Sequence, residues 1–281
     1  MVSVPAPLLE ALRGLVPGAA NRTLRQMLER GRVRVNGAVV RLARAPVAAG
    51  DTIEVAGRAP ETADLHGIEI VFEDDQVLVI SKPPGLLTVA TEHERERTAF
   101  SYLKTYVRSS IPRRDVYVVH RIDKFASGLL VFAKSEPARE ALRALFREHD
   151  VERRYWAIVE GSVKKDTGTI RSRLVEDAAL HMRSTAEPAE GKLAVTHFRV
   201  LRRFPALTTL EVRLETGRKN QIRVHLSEMG HPIAGDRPYG STTDPLGRLG
   251  LHAFTLRFAH PTTGERLQFR TEPPPELRPY L

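Results

Sequence analysis

The chain has 281 residues, 42% hydrophobic and 27% charged, and contains no cysteine. This length and composition give one or two folded domains with ample apolar material for a core, and the absence of thiols excludes a disulfide scaffold, a thiolate metal site and a cysteine nucleophile. Forty-three Lys and Arg face 34 Asp and Glu, a net charge of +9, which suits a polyanion such as nucleic acid or an anionic membrane surface.

The basic excess is uneven. Residues 1–60 hold nine arginines and four acids, while the other 221 residues carry 34 basic and 30 acidic side chains. The opening stretch MVSVPAPLLEALRGLVPGAA has no basic leader, and Pro5, Pro7, Glu10 and Arg13 interrupt any apolar run. No stretch of 18 apolar residues occurs. The expectation is a cytoplasmic protein with no membrane partner.

Taken in order, residues 21–55 read as one small unit. Asn21 can cap a short helix with Leu24, Met27 and Leu28 at helical spacing, stopped by Gly31. Val33 and Val35 then alternate with Arg32 and Arg34, Asn36-Gly37 supplies a two-residue hairpin turn, and Gly50-Asp51 turns into a strand over Thr52–Val55. With Arg22, Arg25 and Arg30 on the helix and Arg32 and Arg34 on the strand, the unit presents a basic surface fit to grip phosphates, or simply a solvated face. The frame of a helix, then G-x-V-x-V-N-G, then a Gly-Asp turn resembles the S-four-type RNA-binding domain over about 35 residues.

A polar stretch without periodicity follows, giving expected boundaries of 1–57 for the front domain, 58–67 for a linker and 68–281 for the main domain. From Ile68 the chain is strand-rich. IEIVFED and QVLVISKPPG read as strands, the second ended by Lys82-Pro83-Pro84-Gly85. Helices are predicted over 98–108 and 136–149, with strands at VYVVH, GLLVFAKS, RYWAIVEG, AVTHFRVLRRF, LTTLEVRLET, QIRVHLSEMG and LHAFTLRFAHP. The pattern is α+β, a mixed and largely antiparallel twisted sheet behind a small N-terminal α/β domain. It has no repeat of solenoid or propeller period.

Phosphate-loop, dinucleotide, serine-elbow and HExxH motifs are all missing, and His225 and His231, six apart, make a poor metal pair. Two segments remain. In VYVVHRIDKFASGLLVFAKS, Asp123 leaves a buried strand beside the small residues Ala126, Ser127 and Gly128. In TGRKNQIRVHLSEMGHPIAGDRPYG, Arg218 and Arg223 flank a turn. An arginine beside Asp123 would keep the carboxyl ionised by lowering its pKa. Spacing alone leaves open a purely structural Asp–Arg bridge.

These segments resemble the RluA-type pseudouridine synthases, whose signature HRLD-x-x-T-S-G-L-L-V-x-A-K is close to HRIDKFASGLLVFAKS and whose G-R-x-H-Q-I-R-V-H-L block is close to GRKNQIRVHL. VLVISKPPGLLTV, ERRYWAIVEG and LHAFTLRFAHP fit in order, over about residues 68–275. The resemblance implies isomerisation of uridine to pseudouridine in structured RNA, a rearrangement that needs neither cofactor nor metal; the S-four-type domain favours large-subunit rRNA over tRNA, and a monomer is expected, though no motif sets the oligomeric state. It implies that Asp123 attacks the target uridine, that Arg218 pairs with it, that Tyr155 packs on the uracil and takes part in removing the carbon 5 proton, and that Arg121 enters the duplex where the base leaves, with Arg223 a further RNA contact. The family's Arg-Asp-Thr is Lys124-Phe125-Ala126 here, and its His in GRxHQ is Asn220. The alternatives are a non-catalytic RNA-binding or ribosome-assembly factor on the same fold, and a glycosidase, which needs a second carboxylate; Asp236 is the nearby candidate.

Overall fold

The computed structural model describes residues 6–16, 19–29, 31–55, 64–110, 115–178, 180–187 and 189–281. The chain groups into two compact units, Met1–His66 with Tyr102–Asp115, and Gly67–Ser101 with Val116–Leu281.

The first unit contains β1 (Ala6–Pro7), α1 (Leu8–Leu15), α2 (Asn21–Glu29), β2 (Val33–Val35), β3 (Ala38–Val39), β4 (Pro46–Val47) and β5 (Ile53–Val55). Leu8 and Leu12 of α1 and Leu24 and Leu28 of α2, each four apart and so on one helical face, bury against Val33 and Val47. Asn36 and Gly37 both take positive φ, as the two-residue turn between β2 and β3 requires. Asn36 also ties that hairpin to the Gly50-Asp51 turn: its amide donates to Asp51 and its oxygen accepts from the Thr52 amide. At the start of α2 the Asn21 oxygen takes the Nε–H of Arg13 at 2.9 Å. Residues 102–115 join this unit rather than the main domain predicted to hold them. There Tyr102 stacks on His66 at 4.0 Å, and Arg34 donates to the Ser109 carbonyl.

The second unit is built on one large sheet. Its elements are β6 (Glu69–Glu73), β7 (Val77–Lys82), β8 (Tyr117–Val118), β9 (Ser127–Ala133), α4 (Glu136–Arg147, after α3 at Ala99–Ser110), β10 (Glu152–Glu160), β11 (Thr167–Glu176), β12 (Met182–Thr185), β13 (Lys192–Arg203), β14 (Leu207–Leu214), α5 (Gln221–Glu228), β15 (Leu251–Ala259) and β16 (Arg266–Arg270). The strand order is β12-β11-β13-β14-β10-β15-β9-β7-β6, with β16 on β15 and β8 on β9. Among the described pairs in this sheet only β9 with β15 is parallel. The α+β, largely antiparallel architecture is thus as predicted.

Every residue of β9 is buried, which explains its unbroken apolar run: a strand covered on both faces shows no alternation. Val77, Val79, Leu129, Val131 and Phe258 pack under Ala138 and Leu142 of α4. That helix starts where Ser135 accepts the Ala138 amide and proline occupies the first turn.

The helix α1 and the strands β11, β12 and β16 were not predicted, and one predicted element has the other form. QIRVHLSEMG forms α5, not a strand. Ile222, Val224 and Leu226 alternate in sequence like a strand, but the helix is buried around most of its girth, with Gln221, Ile222, Val224, His225 and Leu226 all covered. That removes the polar face from which a helical period would be read.

Candidate active site

The loop between β8 and β9 carries His120, Arg121, Ile122 and Asp123 into a cavity of about 610 Å³. Its walls come from that loop, from the α4–β10 segment including Arg153 and Tyr155, and from the β14–α5 turn, residues 214–222. Asp123 is the one acid among the lining residues.

The loop is held from beneath. Lys82, 1% exposed, places its ammonium within 2.7–3.0 Å of the carbonyls of Pro83, Leu86, Lys124 and Ala126. The Thr88 hydroxyl donates to the Ile122 carbonyl at 2.9 Å. Carbonyls on both sides of Asp123 are therefore fixed, those after it by the end of β7 and the one before it by Thr88. Beyond the loop Gly128 takes φ +109, and a Cβ there would lie 2.1 Å from the Ala253 carbonyl oxygen; only glycine lets β9 approach β15 in the parallel pairing of His252 with Ser127. Ser127 then shares a hydrogen bond with buried His252 at 2.7 Å and accepts one from Arg248.

Charge around Asp123 is set by burial and by cations. Burial raises its pKa, against the pull of Arg223, Arg121 and Lys82; the charge of Asp236 adds to the rise. The expected lowering by a neighbouring arginine does occur as a contribution, but desolvation outweighs it. Burial likewise drops Lys82 from the ordinary 10.5 to about 7, with Asp123 opposing and Arg248 assisting. The Tyr155 phenol is pushed up, first by burial, so it faces the cavity as a neutral ring with its proton on.

The two arginines of the second segment are placed differently. Arg218 lines the cavity but is exposed, and its Nε donates to the Leu193 carbonyl at 2.9 Å; it is not among the charges that act on Asp123. The foremost of those is Arg223. Its Nε and one terminal nitrogen fork onto the two oxygens of Asp236 at 2.7 Å each, and the other bonds Asn220 at 3.2 Å. So held, with its side chain 12% exposed, Arg223 is a fixed charge that acts on Asp123. Asp236, committed to this fork and absent from the cavity lining, is not the second carboxylate that a glycosidase needs.

Asn220, which replaces the family's histidine, adopts a left-handed conformation with φ 52 and bridges Tyr239 to Arg223. Asparagine tolerates that backbone better than most residues, so the departure is accommodated. Phe125 is 54% exposed, beside the Lys124 ammonium at 5.2 Å. Arg121 is exposed on the cavity-lining loop.

In the first unit Arg22 and Arg25 are exposed and three apart on α2. Arg34 spends its guanidinium on the carbonyls of Gly37 and Ser109 and is structural instead. Arg32 is half-buried, and Arg30 lies outside the described residues.

Residues 76–228, which contain Lys82, Asp123, Tyr155, Arg218 and Arg223, match the family model described as RNA pseudouridylate synthase. The chain belongs to that family. This synthase is 37% identical to "Uncharacterized RNA pseudouridine synthase YlyB" of Bacillus subtilis, over 90% of this chain and 86% of that one. It is 34% identical to "Ribosomal large subunit pseudouridine synthase D" of Pasteurella multocida, over 95% and 88% of the two chains. Among solved structures it is similar to human RNA pseudouridylate synthase domain containing 4, with TM-score 0.62, 24% identity and 75% and 92% of the chains covered. Human RNA pseudouridylate synthase domain containing 1 gives TM-score 0.59, 25% identity and coverage of 76% and 86%. The synthase is therefore an RNA-modifying isomerase of the RluA type. Lys82 and Arg153 were missed in the sequence: the only signal for the first is the proline-rich strand end, and nothing marks the second among 35 arginines.

Proposed function

We propose that the synthase isomerises uridine in large-subunit rRNA, with Asp123 as the carboxylate that acts on the target nucleotide. The carrying observation is that Asp123 is the one acid lining a cavity whose other walls bring Tyr155 and several cations. The rRNA target is supported by relatives named as ribosomal large subunit synthases.

The target uridine leaves its stack at a cost of a few kcal/mol. Arg121, exposed on the loop that holds Asp123, offsets this by stacking and hydrogen bonding where the base has left, and Tyr155 offers the base a flat face. The ionised Asp123 carboxylate then acts as nucleophile or base. The bond from the ribose to the ring nitrogen breaks, the retained uracil rotates, carbon 5 joins the ribose, the carbon 5 proton leaves to solvent, the freed ring nitrogen takes up a proton from solvent, and the Asp123 carboxylate is returned unchanged. The proton lost is matched by the proton gained, so the product is an isomer. Arg223, held by Asp236, stabilises the charge on Asp123 and is the pairing residue. Arg218, at the cavity edge, is left for RNA backbone.

The front unit, with the hairpin frame of an S-four-type domain, holds RNA backbone through Arg22 and Arg25, and the protein works as a cytoplasmic monomer. Incubation with large-subunit rRNA tritiated at uracil carbon 5 tests the reading: release to water is expected, and its absence from this RNA while another RNA releases tritium would move the target elsewhere.

A further inference from the structure

Arg153 is a buried cation without an anion. The residue is 8% exposed, its Nε is buried with no hydrogen-bond partner, and among the described residues no carboxylate pairs with it. It lines the same cavity as Asp123. What surrounds it is ring and backbone. Its guanidinium lies over Phe146 at 5.3 Å, and a Cβ on Gly217 would meet its terminal nitrogen at 2.6 Å, so the glycine leaves the space that the guanidinium fills. His120, stacked on the same Phe146 ring at 4.5 Å, accepts the Val131 amide and is held neutral, its pKa driven to about 3 by burial and then by the charge of Arg153.

A contact with an aromatic face recovers only a fraction of what burying an ion costs. An unbalanced buried charge persists where a ligand completes it. The ligand must carry a full negative charge, since a neutral carbonyl would leave most of that cost standing, and a planar fork of donors matches phosphate oxygens two at a time. Position agrees. Arg153 and Tyr155 are two residues apart on β10, hence on one face and about 7 Å apart along the strand, a spacing suited to a base at Tyr155 and its own backbone phosphate at Arg153.

We propose that Arg153 binds a phosphate of the target nucleotide and so seats the uridine over Asp123. This rests on the cavity being the isomerisation site. The predicted signature separates binding from architecture. Arg153→Met raises KM for tritium release from large-subunit rRNA about ten- to a hundredfold, the worth of one charge-assisted hydrogen bond, with a smaller change in kcat. Its melting temperature equals or exceeds that of the wild type, because an unbalanced charge has gone. Arg153→Lys restores part of the loss, and Gly217→Ala, which keeps the charge but displaces the guanidinium, raises KM in the same direction.

The ligand is assigned with uridine, uridine 3′-monophosphate and uridine 5′-monophosphate as probes in thermal shift. One of the monophosphates stabilises the wild type more than uridine does, and Arg153→Met abolishes that difference. Equal shifts with uridine and both monophosphates would overturn the phosphate assignment, as would unchanged KM in Arg153→Met. Failure of that variant to fold would make the residue structural and overturn it too. If the wild type releases no tritium from any RNA, the reaction assigned to the cavity fails, while the monophosphate difference still decides the role of Arg153.

Discussion

At the scale of single residues, Asp123 carries a conflict between burial and use. Its folded pKa lies above the ordinary carboxylate value because burial outweighs Arg223, Arg121 and Lys82. Its contribution to stability is therefore fully present below the ordinary carboxylate range and fades as pH rises through the folded pKa. The proposed reaction needs the opposite, ionised form. The acid limb of kcat/KM is accordingly expected above the ordinary Asp value, measurable as a pH profile. Asp123→Asn removes the proposed reacting carboxylate and the conflict together: tritium release is expected to fall by about four orders of magnitude or more, while thermal melting at neutral pH is unchanged or raised. Lys82 shows the reverse sign. With its pKa depressed to about 7, the unfolded chain binds a proton that the folded one has lost between that value and 10.5, so this group adds stability as pH rises across that window.

At the scale of elements, the catalytic loop owes its position to two devices at its base. Lys82→Met strips four backbone carbonyls of one shared donor and is expected to destabilise by about 3–5 kcal/mol, seen as a lower denaturant midpoint. Gly128→Ala forces both a left-handed strain and a clash with the Ala253 carbonyl, with an expected cost of at least about 3 kcal/mol. The loop itself stood out in the sequence as a polar knuckle ahead of a buried strand and next to small residues, but spacing left a structural Asp–Arg bridge open and the family resemblance singled it out. The support beneath it was not, since a fully buried lysine is unusual and its four partners are carbonyls, which side-chain identity does not encode. The different placement of Arg218 and Arg223 was hidden for a similar reason. With α5 read as a strand, the turn and the helix could not be ordered in space, and the fork from Arg223 to Asp236 joins residues 13 apart. β7, β9 and α4 were recoverable because each has either a continuous apolar run or a clear cap, whereas β11, β12 and β16, exposed or half-buried along much of their length, were not read as strands.

At the scale of the whole molecule, the net charge of +9 divides by purpose. Part is fixed inside the second unit as Lys82, Arg153 and Arg223, where it acts on Asp123 or awaits an anion. Part is exposed on the first unit, where Arg22 and Arg25 are available to backbone phosphate. Alanine at either position is expected to weaken RNA binding nearly uniformly across sequences and to lower the salt slope of log affinity by about one, whereas Arg34→Ala, which breaks internal bonds, acts through stability. Point substitutions are the better probe than removing residues 1–60, because residues 102–115 group with that unit and would lose their packing. The central claim concerns Asp123. Tritium release from carbon 5 of uracil in large-subunit rRNA, compared between the wild type and a folded Asp123→Asn variant, tests it most directly. The account predicts steady release by the wild type and none above background by the variant; release by the variant at the wild-type rate would contradict it.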